Sequence, residues 1–226
     1  MAAHDARDAN DAALTQKISS LIVRFRTPII AVLVAGLVAV AGLVVASLVL
    51  TSRREAAFER IERAVSDLEK ARAADDKAAL PAKEDEILAE MRDVAARNPR
   101  SFAAARALMT VADILHSRKD WKAAEEAYRA ASAAAPKAYT AALCEFNAAV
   151  CADEQGNADA AVELFAKAAD RADFPLRPMA LFNLGRVEEQ RSNKEAAIAA
   201  YQRLADTFPD DEWTKLAKSR LVSLKL

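Results

Sequence analysis

Glycine is nearly absent from this chain, with four residues in 226, and proline is held to seven. A chain that turns often, as a sheet protein must, uses both residues more freely, so a loop-rich or sheet-rich fold is excluded and helix is expected throughout. Positive charge is not in excess either: the formal net charge is -1, so nothing draws the chain electrostatically to nucleic acid. Histidine occurs twice, at His4 and His116, far apart in sequence and without the spacing of a metal site. No GxxxxGKS/T or GxGxxG loop is present to cradle a phosphate. The two cysteines, Cys144 and Cys151, stand seven residues apart on one expected helix. Helical rise separates them by about 10 Å, beyond the roughly 7 Å that a disulfide tolerates. They read as small core residues. With no nucleophile–base or metal constellation, no catalytic residue, cofactor or metal is assigned, and no small-molecule substrate is expected.

What is present is apolar, at 53% of residues, and unevenly spread. From Pro28 to Leu50 run 23 residues without a charge, interrupted only by Ser47 and two glycines. A helix of roughly 20 residues spans a hydrocarbon core of about 30 Å. Arg24 and Arg26 bracket one end and Arg53 and Arg54 the other, with Pro28 placed for a first helical turn. A transmembrane helix is expected over 28–50. The alternative is a cleaved signal sequence with Ala39-Val40-Ala41 as its small-residue site, although signal cores run only about 7–15 residues. Within the span, Ala31, Ala35, Ala39, Gly42 and Ala46 form a stripe of small residues where another membrane helix can approach closely, or simply reflect abundant alanine. Lys17, Arg24 and Arg26 precede the span, and Arg53, Arg54, Arg60 and Arg63 come after it, so flanking charge leaves orientation open.

After the span, Ala57, Ile61, Val65 and Leu68 mark one face of a helix over 52–74. A break follows over 73–83, with Asp75, Asp76 and Pro81, and then a second helix to Arg97 carrying Ile87, Met91 and Val94. Asn98-Pro99 stops it, because the residue before proline is pushed out of helical geometry.

Then the chain repeats itself. KDWKAAEEAYRAASAAAP at 119–136, GNADAAVELFAKAADRADFP at 156–175 and SNKEAAIAAYQRLADTFP at 192–209 align without strain. Ala124, Ala161 and Ala197 recur at spacings of 37 and 36, and each is followed four residues later by an aromatic: Tyr128, Phe165 or Tyr201. Ala131, Ala168 and Leu204 come next, and Pro136, Pro175 and Pro209 close the units. The small residue lets antiparallel helices approach, and the aromatic on the same face fills the gap beside it. Lys119, Gly156 and Ser192 fall at the turn between the helices of each pair, and Ala112, Ala149 and Gly185 at the close-packing position of the first helix. First helices are expected at 105–118, 142–155 and 178–191.

These motifs resemble the tetratricopeptide repeat, strongly over 102–209 and, as a degenerate unit, over 52–99. Leu115, Ala152 and Glu188 depart from the first-helix aromatic position. The resemblance implies an all-α fold: a solenoid of helical hairpins behind one N-terminal transmembrane helix. The organisation read from the sequence is a short tail over 1–27, disordered at its start, the span over 28–50, opening helices over 51–101, three units over 102–209 and a capping helix over 210–226. Asp210 or Asp211 would cap that last helix, with Trp213, Leu216, Ala217, Leu221 and Leu224 turned toward the array.

In such arrays partners bind the concave face of the first helices. The inward positions map to Arg106, Met109, Asp113 and His116, then Leu143, Phe146, Val150 and Asp153, then Met179, Phe182, Arg186 and Glu189. The candidate partner groove is therefore Met109, Asp113, Leu143, Phe146, Val150, Met179, Phe182 and Arg186, an apolar centre with a charged rim suited to an extended apolar polypeptide. The alternative is that some of these pack against neighbouring helices. A clamp for a terminal carboxylate is disfavoured, since Met109 and Asp113 stand where a lysine and an asparagine are wanted. Asn147 and Asn183 are expected to hydrogen bond inside the array.

Tail, single span and short capped array together resemble the ancillary SecYEG translocon subunit (YfgM-like) family of bacteria. That resemblance implies a chain anchored in the inner membrane with its repeats in the periplasm. It also implies partners among the SecYEG translocon, the periplasmic chaperone PpiD and unfolded exported polypeptides. A scaffold for another envelope complex, such as cytochrome maturation or cell-wall machinery, and a cytosol-facing adaptor stand as alternatives.

Overall fold

The computed structural model describes the backbone of residues 2–74 and 78–225, and side chains at 16, 19, 27, 28, 30–74 and 78–224. The side chains of His4, Lys17, Arg24 and Arg26 lie outside this set, and Asp75, Asp76 and Leu226 lie outside the described residues altogether. Among the described residues all regular structure is α-helix. α1 runs Ala2–Ala73 and α2 Leu80–Arg97. Three hairpins come next: α3 (Phe102–Ser117) with α4 (Trp121–Ala134), α5 (Thr140–Glu154) with α6 (Ala158–Asp170), and α7 (Arg177–Gln190) with α8 (Lys194–Thr207). α9 (Glu212–Lys225) follows the third hairpin.

Two compact units divide the chain, Met1–Arg53 and Arg54–Leu226. In the first, helix is continuous through the residues read as tail and as span, so Pro28 lies inside α1 rather than at a first turn. Proline inside a helix removes a backbone bond and crowds the carbonyl four residues back, a cost of about 3 kcal/mol, and α1 continues through it on both sides. An 18-residue window of this helix has mean hydropathy 2.8, and none of it is buried by the protein. Val32, Leu37 and Leu43 are each about two-thirds exposed or more.

The second unit is a solenoid in which each helix packs on the next, and α9 on both α7 and α8. Ala57, Ile61, Ala64 and Leu68 of α1 join Ile87, Met91 and Val94 of α2 in one core that continues through the array. Ala64 takes the buried place expected for Val65, which is half-buried beside it. Within the hairpins, alanines at 112, 124, 149, 161 and 197 are fully buried, as are the rings of Phe165 and Tyr201. The fit is tightest at Gly185, where a Cβ would stand 2.6 Å from Tyr201 Cε1.

The turns inside the hairpins are one structure built three times. The N–H of Lys119, Gly156 and Ser192 donates to the carbonyl of His116, Asp153 and Glu189 at 2.9, 2.8 and 2.9 Å. The next N–H, of Asp120, Asn157 and Asn193, reaches back to Leu115, Ala152 and Glu188 at 3.0, 2.9 and 2.9 Å. This paired closure of a helix end needs a left-handed residue, and φ is 60° at Lys119, 73° at Gly156 and 61° at Ser192. Asp120 and Asn157 also cap the helix after the turn, their side chains accepting from Ala123 and Ala160 N–H at 3.3 Å. One residue thus ends one helix and begins the next. The first helices start one to three residues earlier than the repeat alignment suggests.

At the far end, Asp211 Oδ1 accepts from Trp213 N–H at 2.9 Å, and Ala217 and Leu221 are buried as expected. Leu216 departs from its expected place: it is 50% exposed, and Thr214 is buried in its stead. Residues 213, 217, 221 and 224 define one helical face, and position 216 lies about 100° from its centre. Thr214 tolerates burial because its hydroxyl donates to Phe208 O at 2.6 Å.

Candidate functional site

The first helices α3, α5 and α7 hold equivalent places in successive hairpins, so their matching residues form rows across the array. The row Met109, Phe146, Phe182 was expected at the centre of a groove. Met109 is half-buried, but Phe146 is 7% exposed, its ring 5.5 Å from Phe165 and 5.9 Å from Phe174. Phe182 is half-buried between Tyr201 at 5.6 Å and Trp213 at 5.2 Å. Each of these two rings cements its hairpin's first helix to the second and to the next segment of the chain. The row Arg106, Leu143, Met179 stays half-buried, and Arg106 pairs with Glu62 at 3.3 Å.

The next row is Asp113, Val150, Arg186. Asp113 is exposed, and its Oδ1 accepts from the Tyr128 hydroxyl at 2.5 Å. Burial, then the Asp113 charge, pushes the Tyr128 phenol well above its ordinary range. Val150 is half-buried, and Arg186 donates to Asp153 and, at 3.3 Å, to Asn183 Oδ1. The last row contains His116, edge-on to Trp121 at 4.9 Å, then Asp153, then Glu189. Arg220 of α9 grips Glu189 with two bonds, at 2.7 and 3.1 Å, and the Tyr201 hydroxyl donates to the same carboxylate at 3.1 Å. The Tyr201 phenol is raised to about 12, by burial first and by Glu189 second. Asn183 Nδ2 donates to Met179 O at 3.0 Å, and Asn147 stands beside the Tyr128 hydroxyl, where it opposes the rise in that phenol's pKa. The polar residues of these rows are thus largely partnered within the array.

Sequence reasoning missed the partners that hold these rows, Asp153 to Arg186 and Glu189 to Arg220, because each pair spans 31 to 33 positions and joins separate helices. It also missed Glu145, buried between α4, α5 and α6, where Lys167 reaches its Oε1 at 2.7 Å and the Ser132 hydroxyl donates to the same oxygen at 3.0 Å. Cys144 and Cys151 are free and buried, and burial pushes both thiols up to about 12. Along the apolar stretch of α1, Ala31, Ala35, Ala39, Gly42 and Ala46 are all exposed, and no other part of the described chain covers their stripe.

Residues 146–212 match the tetratricopeptide repeat family profile. Over 146 residues the chain is 44% identical to a TPR repeat-containing protein of Treponema pallidum (strain Nichols), covering 64% of this chain and 61% of the relative. The match therefore spans about three-fifths of that curated relative. Among solved structures, the apo form of RapI overlays 77% of this chain on 49% of its own, at 17% identity and TM-score 0.56. The nearly identical TPR-like repeats assigned to a kinesin light chain of Podosopora anserina overlay 73% of this chain on 86% of theirs, at 15% identity and TM-score 0.52. At such identities the overlays establish the fold alone: an α-solenoid of tetratricopeptide-type hairpins. The tetratricopeptide repeats that the family profile matches over 146–212 indicate a protein-interaction module.

Proposed function

We propose that this chain is a membrane-tethered adaptor whose hairpin array takes an extended polypeptide along the face of α3, α5 and α7. The observation that carries this is the set of half-buried apolar side chains Met109, Leu143, Val150, Met179 and Phe182, bordered by Asp113 and the Arg186–Asp153 pair. Partly exposed methionine and aliphatic groups accept varied apolar side chains. The fixed charges beside them hold the backbone of a bound segment in register. Tethering is supported by an apolar helical window that nothing in the protein buries, and the stripe from Ala31 to Ala46 is the surface for a partner membrane helix.

The architectural resemblance to the YfgM-like family supports a finer reading: an inner-membrane protein with periplasmic repeats, serving exported chains at the SecYEG translocon beside a chaperone such as PpiD. Protease accessibility in intact spheroplasts tests the side. Digestion of the array supports export assistance, and protection until detergent lysis discards it in favour of a cytosol-facing adaptor. Binding is tested with the full chain in nanodiscs and a reduced, unfolded client. Leu143→Glu with Met179→Glu is expected to weaken capture about tenfold or more, with the melting transition measured alongside to show that the array is still folded. Unchanged capture would move the site off this face.

A further inference from the structure

The loops that join successive hairpins lie together on one edge of the array, at the end where α2, α4 and α6 finish. Ring contacts and a hydrogen bond connect them into a continuous strip. Phe58 of α1 stands 6.0 Å from Phe102, Phe102 stands 5.9 Å from Tyr139, and Arg171 Nη1 donates to Pro136 O at 3.0 Å. This strip departs from the rest of the solenoid surface in two ways. After the span, the exposed large apolar residues among those described are Tyr139, Leu176, Leu216 and Val222, and the first two lie in these loops, with Tyr139 73% exposed. The strip is also basic where it meets α1. Arg100 and Lys137 flank a recess of about 590 Å³ lined by Phe102, Pro136 and Tyr139, and neither cation is paired among the described residues. Arg171, one loop on, is already tied to Asp173 at 3.3 Å. Carboxylates enter the strip farther along, at Asp170 and Asp173, which are paired with Arg203 and Arg171, and then at Asp210, Asp211 and Glu212.

Chain connectivity says what this edge meets. Phe58 lies eight positions after Leu50, the last residue of the apolar run, and α1 is helical between them. Eight residues reach at most about 29 Å even when fully extended, so the chain keeps the Phe58 end of this edge within reach of a membrane that holds that run. An exposed tyrosine with unpaired arginine and lysine is the residue set that settles at a headgroup layer, the ring at the boundary and the cations on phosphates. With the proposed membrane tether as its premise, we infer that this loop edge rests on an anionic lipid surface, with Tyr139 in the headgroup layer and Arg100 and Lys137 on lipid phosphates. The lipid contact would bind the array's near edge and leave the α3, α5 and α7 face open to a partner.

The test uses the full chain in vesicles, carrying one fluorophore at Tyr139→Cys or, on the opposite edge, at Ser192→Cys. The native thiols are buried and stay unlabelled. The quencher is a lipid with a nitroxide on its headgroup, in phosphatidylcholine alone or mixed with phosphatidylglycerol. The label at 139 is expected to be quenched more than the one at 192, and more strongly in the anionic vesicles. Arg100→Glu with Lys137→Glu should remove that excess, by about fivefold for each positive charge lost. Equal quenching at both positions, or quenching indifferent to lipid charge and to the double variant, overturns the inference. So does shielding of position 139 in lipid-free detergent, which would assign the edge to a second protein copy. Vesicle flotation separates the two claims: a chain that floats with unquenched 139 keeps its tether and loses the docking, whereas a chain that does not float loses both.

Discussion

The stretch from Pro28 to Leu50 and the hairpin helices are both apolar and alanine-rich, yet they end in opposite environments. Val32, Leu37 and Leu43 are left exposed, whereas Phe165, Leu181 and Tyr201 are fully buried. The difference is periodicity. In the repeats, small residues and aromatics recur at intervals that place them on one helical face, with charges on the other, so neighbouring hairpins can cover the apolar side. The span has no polar face at all. It is long and apolar enough to cross a membrane, and none of its most apolar window is buried by the protein.

Substitutions that should affect one region and spare the other test this contrast. The largest effect is expected from Leu37→Arg with Val40→Arg, which at about 6 kcal/mol combined should move the protein out of the membrane fraction while the melting transition of the array stays put. If the array melts earlier, the two regions are not separate. The converse is Phe165→Ala, expected to cost about 3–5 kcal/mol of array stability by denaturant titration and to leave membrane association intact. Gly185→Ala should cost about 1–3 kcal/mol, because the added methyl meets a Tyr201 ring that is buried and held at its hydroxyl by Glu189. A neutral result would mean that α7 and α8 have room to part. The smallest effects belong to the turns. Gly156→Ala is expected to lose about 1 kcal/mol and Ser192→Gly to gain up to about that amount, since both positions have positive φ. In the span, where Gly36 and Gly42 have open space around them, Gly→Ala should leave folding of the array untouched.

Much of this was legible in the sequence because it is carried by local spacing. The alanine–aromatic pairs four residues apart, the recurrence at 37 and 36 positions and the closing prolines mark three repeats, and helices α3 to α8 fall on those segments. The opening helices and the capping role of Asp211 were legible for the same reason. The candidate face was legible only in outline. Counting positions along a helix says which residues share a side, but not how deeply the next helix covers them. Phe146 therefore reads as a groove residue, whereas its ring is enclosed by Phe165 and Phe174. Leu216 reads as turned inward, although the neighbouring helices reach α9 from the side of Thr214 and Ala217.

By itself, then, the sequence determined where the hairpin helices lie to within about a turn, which of them repeat, and that one apolar stretch has no face to hide. These are properties of residues within a turn or two of one another, set by backbone sterics and side-chain periodicity. Tertiary structure alone decided that Lys119 and Ser192 adopt the left-handed turn that Gly156 takes without strain, because closing each hairpin requires it whatever residue is there. It alone decided the pairing of Arg186 with Asp153 and of Arg220 with Glu189. It also brought Phe58, Phe102 and Tyr139 from three separate segments onto one edge. Such contacts depend on the distance and tilt between helices, and those are set by the summed packing of many side chains rather than by any local pattern.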